Sequence, residues 1–217
     1  MTGFWIDARD FLPLLLRGAA LTVLVTVGSL ALSTVLGLAW ALLRVSQVPA
    51  LSWFSKGLVN GIRGIPILVQ LFYIYFVLPE FGIELGALQA GILGLGIAYS
   101  AYQAENFRAG IEAVDPGQIE AAESLGMPRG LVLRRVLLPQ AFRIALPPYG
   151  NTMIMMLKDS SQASVITVAE LTQQGRLIAS STFKNTSVFT LVALLYLSMS
   201  VPLILLAGRL EKKFGRK

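Results

Sequence analysis

The sequence predicts an all-α integral membrane protein with five transmembrane helices, and three observations predict it. Of 217 residues, 55% are hydrophobic and only 14% charged, with a mean hydropathy of +0.68. A soluble domain carries about 25% charged residues, so lipid is the solvent for much of this chain. Five stretches are free, or nearly free, of charge over a bilayer-spanning length. Lysine and arginine segregate to one side of those stretches, as the positive-inside bias requires.

The first apolar run covers 18–43, between Arg17 and Arg44, ample for a tilted helix. The second, 64–79 between Arg63 and Glu80, is short, but Leu58, Val59 and Ile62 extend it at the front. The third is 85–104, between Glu84 and Glu105. The fourth starts at Ile144, meets Lys158 and Asp159, and resumes to Ala169; the fifth is 185–208, ended by Arg209. With flanking residues, the spans fall at 14–44, 57–79, 86–108, 143–168 and 186–208, and 109–142 is a long cytoplasmic loop. Gly91, Gly94 and Gly96 suit close helix packing, while Pro66 and Pro147-Pro148 mark kinks or helix starts. No internal repeat stands out.

Charge orients the spans. Arg44, Lys56 and Arg63 fall in one loop, and Arg108, Arg129, Arg134, Arg135 and Arg143 in the long one. Arg209, Lys212, Lys213, Arg216 and Lys217 form the tail, for thirteen basic residues on that side. Arg9, Arg17, Arg176 and Lys184 lie on the other, with Lys158 at membrane depth. The N-terminus is therefore expected outside the cell membrane and the C-terminus in the cytoplasm. The same bias accounts for the net charge of +6 without nucleic acid as a partner. Asp7 and Asp10, followed by a long apolar run, read as no cleavable signal peptide. The chain has neither cysteine nor histidine, which excludes disulfides, thiolate nucleophiles and the usual zinc sites. No metal site and no catalytic constellation are expected.

The long loop is not polar filler. Asp115-Pro116-Gly117-Gln118 reads as a helix start: Asp as N-cap, Pro at the first helical position, and Gln at N3 to close a capping box. The helix Ile119-Glu120-Ala121-Ala122-Glu123-Ser124-Leu125 then stops at Gly126, a natural C′ residue, with Pro128 beyond. Ala121, Ala122 and Ser124 keep its surface low, so a partner's groove can approach the backbone, and Leu125 and Met127 offer apolar anchors. Two readings stand: a mechanical coupling element, or an amphipathic helix lying on the bilayer. Glu120 either serves its own helix N-terminus or reaches a basic residue on a partner.

Glu120-Ala121-Ala122, Gly126 and Val136-x-Leu138-Pro139, at this spacing, resemble the EAA signature of ATP-binding-cassette (ABC) importer permeases; Val136 stands where the family often has Ile. Further stretches resemble the polar amino acid branch (the histidine, glutamine, arginine and opine type): Arg63-Gly64-Ile65-Pro66-Ile67-Leu68-Val69-Gln70, Ala101-Tyr102-Gln103-Ala104-Glu105-Asn106-Phe107-Arg108, Leu138-Pro139-Gln140-Ala141, Leu146-Pro147-Pro148-Tyr149-Gly150-Asn151 and Leu157-Lys158-Asp159-Ser160-Ser161. The resemblance covers about residues 18–213. It implies a type I ABC importer permease fold and a second permease subunit, identical or related. It also implies two cytoplasmic ATP-binding subunits and an extracytoplasmic amino acid-binding protein. Glu120, Ala121, Ala122, Leu125, Gly126 and Met127 would meet the ATPase.

No G-x-x-x-x-G-K-[ST] loop is present, so the chain has no evident phosphate cradle. It carries no cofactor of its own, ATP and Mg belonging to the partner ATPase. Alternating access would follow from partner closure moving the coupling helix, with ATP biasing the two states by differential binding.

Lys158 and Asp159 fall inside the fourth span, where a charge costs at least ~2.5 kcal/mol at the helix centre. They point about 100° apart on a helix and do not pair. A zwitterionic substrate offers a carboxylate for Lys158 and an ammonium for Asp159, and Ser160 and Ser161 continue the polar stretch. The alternatives are that the helix leaves the bilayer near Leu157, or that both residues pair with charges on other spans. Asn151, Thr152, Gln70, Tyr99 and Gln103 are further candidates for the substrate path, each taken singly reading more readily as a helix–helix hydrogen bond than as a ligand. Relatives that prefer cationic amino acids resemble this chain around Gly150-Asn151 but carry an acidic residue where it has Thr152. The rival functions are an ion-coupled secondary transporter, disfavoured by the lack of an inverted repeat, and a non-transporting scaffold.

Overall fold

The computed structural model describes residues 2–214; Arg216 and Lys217 of the basic tail lie outside the described residues. The first helix, α1 (Thr2–Arg44), is a single rod of 43 residues. A short turn leads to α2 (Pro49–Gly64), with Pro at its first position, where a missing N–H costs nothing. Ser52 and Ser55 donate to the Arg44 and Trp40 carbonyls at 2.8 and 2.7 Å, folding α2 back along the end of α1.

The second span, expected as one element over 57–79, is broken. Pro66 forces Ile65 into an extended conformation (φ −103°, ψ 128°) and starts a new helix, α3 (Ile67–Phe72). This continues as a π turn, Tyr73–Val77, and a 3-10 turn, Leu78–Phe81. The two halves meet at 96°. Next come α4 (Ala87–Glu112), α5 (Pro116–Ser124), α6 (Arg129–Val132) and a π turn, Leu133–Leu137. The fourth span was expected over 143–168, yet its helix, α7, covers Leu138–Asp159 and then tightens into a 3-10 segment, Ser160–Ile166. Pro147 and Pro148 sit inside α7 rather than at its start. Thr167 turns left-handed (φ 67°), and a helix not anticipated from the sequence, α8 (Leu171–Thr182), precedes α9 (Asn185–Phe214).

By length and composition α1 and α9 each qualify to cross a bilayer, and the bent α2–α3 pair together qualifies as a third element. The helices α4 and α7 are long enough, at 26 and 22 residues, but their polar residues and glycines make them less apolar. Chain direction orders them. The contacts Gly28–Ile92, Gly96–Leu32 and Gly37–Gln103 make α1 and α4 parallel. Asp7 meets Ser187, and Glu170 bridges Thr22 to Tyr196, so α9 is parallel to α1 as well. The α2 contacts, and the pairs Gly110–Ala141 and Asn106–Thr152, run the opposite way, placing α2 and α7 antiparallel to these three. Three elements thus run one way and two the other, which carries the ends of the chain to opposite poles.

Packing between α1, α4 and α7 is close enough to forbid side chains. A Cβ on Gly37 would lie 2.6 Å from the Gln103 Cβ and 2.9 Å from the Ser100 carbonyl oxygen. One on Gly110 would lie 2.7 Å from the Ala141 carbonyl oxygen. The main core surrounds Tyr99, with Val25, Leu71, Leu95, Met156, Ile166 and Val168, so α3, α4, α7 and the 3-10 segment share one interior. A second core joins Leu15, Leu171, Ile178, Val188 and Val192 of α1, α8 and α9.

Candidate functional site

Asp159 is the last residue of α7, and the Tyr99 hydroxyl of α4 donates to its carboxylate at 2.7 Å. Tyr99 is 2% exposed and tilts against the Tyr102 ring, with centroids 5.7 Å apart. The partner expected for Asp159 on another span is therefore a neutral phenol rather than a cation. Lys158 is exposed, and no carboxylate among the described residues pairs with it. The two side chains diverge as their helical spacing requires: one is anchored inward, the other offered outward. Ser160 and Ser161 donate to the Leu157 and Lys158 carbonyls, both at 2.7 Å, satisfying orphan acceptors at the end of α7.

The remaining path candidates divide. Asn106 donates to Thr152 Oγ1 at 2.9 Å and to Gln103 Oε1 at 3.1 Å, so Thr152 and Gln103 belong to a network binding α4 to α7. Gln103 is fully buried, and its amide nitrogen meets no acceptor among the described residues. Asn151 is exposed beside this network. The Gln70 amide donates to the Ile62 and Ile65 carbonyls at 2.9 and 2.8 Å, closing the end of α2 across the bend. Its role in this geometry is to cap a helix.

Arg63 was counted with the cytoplasmic loop; it instead occupies the last turn of α2. Its neighbour Ile62 packs against the cluster of Val59, Ala101 and Ala104, well back from the Arg44 end of α1. Its guanidinium lies 5.5 Å from the centre of the Tyr102 ring. Tyr99, Tyr102 and Arg63 thus form a chain leading from Asp159 to the corner between α2 and α3.

Sequence reasoning missed Glu170. It is fully buried and caps α8, accepting from the Thr172 and Gln173 backbone N–H groups at 3.0 and 2.8 Å, from the Tyr196 hydroxyl at 2.8 Å and from Thr22 at 3.4 Å. Thr22 in turn accepts from the Leu171 N–H at 3.1 Å. The available signal was an acidic residue immediately before a polar stretch, the usual mark of a helix start.

On the far side of the molecule, α5 forms as its capping residues direct. The Asp115 carboxylate accepts from the Gly117 N–H at 2.8 Å. The reciprocal half of the box is not made: no hydrogen bond from the Gln118 side chain occurs among the described residues. Gly126 is left-handed (φ 77°), and the Gly126→Glu123 and Met127→Ala122 backbone bonds complete a Schellman motif. Leu125 stands 83% exposed, with Glu120 and Ala121 also exposed and Met127 partly so. Ala122 is buried instead, facing the chain's own following segment. The arrangement presents a rigid knob of about two and a half turns with an apolar tip, held away from the helices around Asp159.

Residues 33–216 match the family described as binding-protein-dependent transport system inner membrane component. The chain is 38% identical over 208 residues to the probable amino-acid ABC transporter permease protein YckA of Bacillus subtilis, covering 96% of this chain and 92% of that one. It is 36% identical over 209 residues to the L-cystine transport system permease protein TcyB of the same organism, covering 96% and 89%. A solved structure of an amino acid ABC transporter with histidines superposes with a TM-score of 0.89 at 38% identity, covering 96% of this chain and 97% of that chain.

Proposed function

Because this chain belongs to the family of binding-protein-dependent transport system inner membrane components, it is the multi-pass permease subunit of an ABC importer, and we propose that it moves polar amino acids into the cell by alternating access. As a permease it is not itself an enzyme; it works with ATP-binding subunits and a substrate-binding protein. The finer assembly is part of the proposal: a second permease copy or a related chain, two cytoplasmic ATPases holding ATP and Mg, and an extracytoplasmic amino acid-binding protein. So is the orientation, with the start of α1 outside, the end of α9 in the cytoplasm, and α4 and α7 completing five crossings.

One observation carries the substrate class. At the end of α7, a carboxylate seated on a buried tyrosine adjoins an unpaired ammonium group, Asp159 on Tyr99 and Lys158 beside it. Charges at membrane depth are costly unless something compensates them, and an amino acid head group presents the two complementary charges. The family and its amino acid permeases support this reading over an ion-coupled carrier or a scaffold. Energy would enter at α5, with Glu120, Ala121, Leu125 and Met127 at the contact and Gly126 fixing the turn.

The test is reconstitution in proteoliposomes with the ATPase and binding protein from the same transporter. Amino acid-loaded binding protein is expected to stimulate ATP hydrolysis and drive uptake, and Lys158→Ala to cut uptake. Leu125→Asp is expected to abolish stimulation, with the complex either dissociating or failing to couple. ATP-independent uptake that follows an ion gradient would overturn the reading.

A further inference from the structure

We propose that Arg63, seated on the Tyr102 ring at the corner between α2 and α3, is a second station for the carboxylate of the transported solute, nearer the cytoplasm than Lys158. This rests on the amino acid reading above and extends it to a residue outside the Lys158–Asp159 pair.

An arginine in the last turn of a helix ordinarily has a local task, because the terminal carbonyls lack partners and the helix dipole favours a cation there. Here that task is taken. The Gln70 amide already donates to the Ile62 and Ile65 carbonyls. Arg63 makes no hydrogen bond and no ion pair among the described residues; the three ion pairs are Arg108 with Glu105, Arg108 with Glu112, and Lys184 with Asp7. Its one specific neighbour among the described residues is the face of Tyr102, 5.5 Å away. A cation–π contact tethers a guanidinium while leaving its N–H donors free. Those donors match a carboxylate two at a time.

The position fits a route. Arg63 follows Ile62, which packs against Val59, Ala101 and Ala104, and α2 runs back along α1 from the Ser52–Arg44 and Ser55–Trp40 bonds, so Arg63 lies inward along α1 from Arg44. Tyr102 touches Tyr99, and Tyr99 holds Asp159. Among the described residues Lys158 and Arg63 are thus two unpaired cations bracketing a pair of tilted, touching tyrosines, with the one carboxylate between them already engaged. A carboxylate released by Lys158 has its next cationic partner at Arg63, toward the pole where α1 ends. The 96° bend puts Arg63 at a corner rather than in a straight helix wall, and Gln70 keeps the corner fixed without using the guanidinium.

The experiment uses the full complex in proteoliposomes, with its binding protein and a mixture of the twenty radiolabelled L-amino acids, reading uptake and ATP hydrolysis together. Arg63→Ala is expected to lower uptake per ATP hydrolysed by about tenfold, as loss of about 1.4 kcal/mol at one step would, while basal hydrolysis and assembly stay as in the wild type. Arg63→Lys should restore part of it, and Tyr102→Leu should fall between Arg63→Lys and Arg63→Ala because the guanidinium loses its platform. Unchanged uptake per ATP in Arg63→Ala overturns the proposal. So does disulfide trapping that places Arg63 against an acidic residue of the second permease, which would make it an interface ion pair. If the wild-type complex moves none of the twenty, the amino acid reading fails first and this station falls with it; a wild type that transports while Arg63→Ala transports equally refutes the station alone.

Discussion

Two helical paths through the molecule are broken, the first between α2 and α3 and the second between α7 and α8, and they are mended in opposite ways. Between α2 and α3 the break exposes carbonyl groups, and a side-chain amide, Gln70, reaches back to cover them. Between α7 and α8 the newly started helix exposes N–H groups, and a carboxylate, Glu170, covers those, with Tyr196 and Thr22 donating to it as well. A helix interrupted in lipid has no water to satisfy its ends, so each break demands a side chain of the right polarity. The difference teaches that a polar residue at membrane depth has a structural claim on it before any claim from substrate. Gln70 and Glu170 are consumed by that claim, whereas Lys158 and Arg63 are not.

The comparison can be tested by removing each mend. Glu170→Ala leaves two backbone N–H groups and a tyrosine hydroxyl without their acceptor, and is expected to cost about 3 kcal/mol or more, read as a fall in Tm of the solubilised complex. An unchanged Tm would show that the second break is held by packing alone. Gln70→Ala strands two carbonyls with a smaller expected loss of about 1–2 kcal/mol; Gln70→Glu should be no better, since a carboxylate cannot donate. Tyr99→Phe removes one hydrogen bond to Asp159, about 1 kcal/mol, and should depress uptake more than basal ATP hydrolysis. Thr167→Gly relieves a β-branched residue held left-handed at φ 67° and is expected to stabilise by less than about 1 kcal/mol.

The smallest effect belongs to a tie outside the membrane. Lys184 and Ser187 hydrogen-bond Asp7 and hold its carboxyl below the usual carboxylate range. A depressed carboxylate contributes stability that is full above its ordinary pKa of about 3.9 and is lost as pH falls through the lowered value. Stability should therefore be indifferent to this pair between about pH 7 and 5, and Asp7→Asn should flatten only the acid limb of a Tm-versus-pH curve.

What could be read from the chain follows the range of the forces involved. The caps of α5 were legible because Asp115, Pro116 and Gly126 act on groups within a few residues. The apolar rods α1 and α9 were legible because composition alone decides them. The break at Pro66 was visible as a kink, but its angle was not, since Gln70 and the packing of Leu71 and Ile74 on Gly94 set it. The end of α7 at Asp159 was hidden, because what stops it is distant: Tyr99 on α4, and an anchor at Glu170 that depends on α1 and α9. The helix α8 was missed for the same reason. Its polar stretch looks like an outside loop until Gly18 of α1 admits Leu171, and Gly175 lets α8 close on Val192 of α9. Gln103 and Thr152, open between path and packing in the sequence, both accept from Asn106, a partner that no local pattern announces.

The glycine contacts that fuse α1 with α4, and α4 with α7, leave no slack for these rods to slide past one another. Any shift during the cycle must then be a tilt of the whole block, and geometry amplifies it. A rod of 43 residues is roughly 65 Å long at 1.5 Å per residue, so a tilt of roughly 5° carries one tip about 6 Å relative to the other. Under the proposed alternating access, a push at one pole would be carried to the other as a displacement of that size.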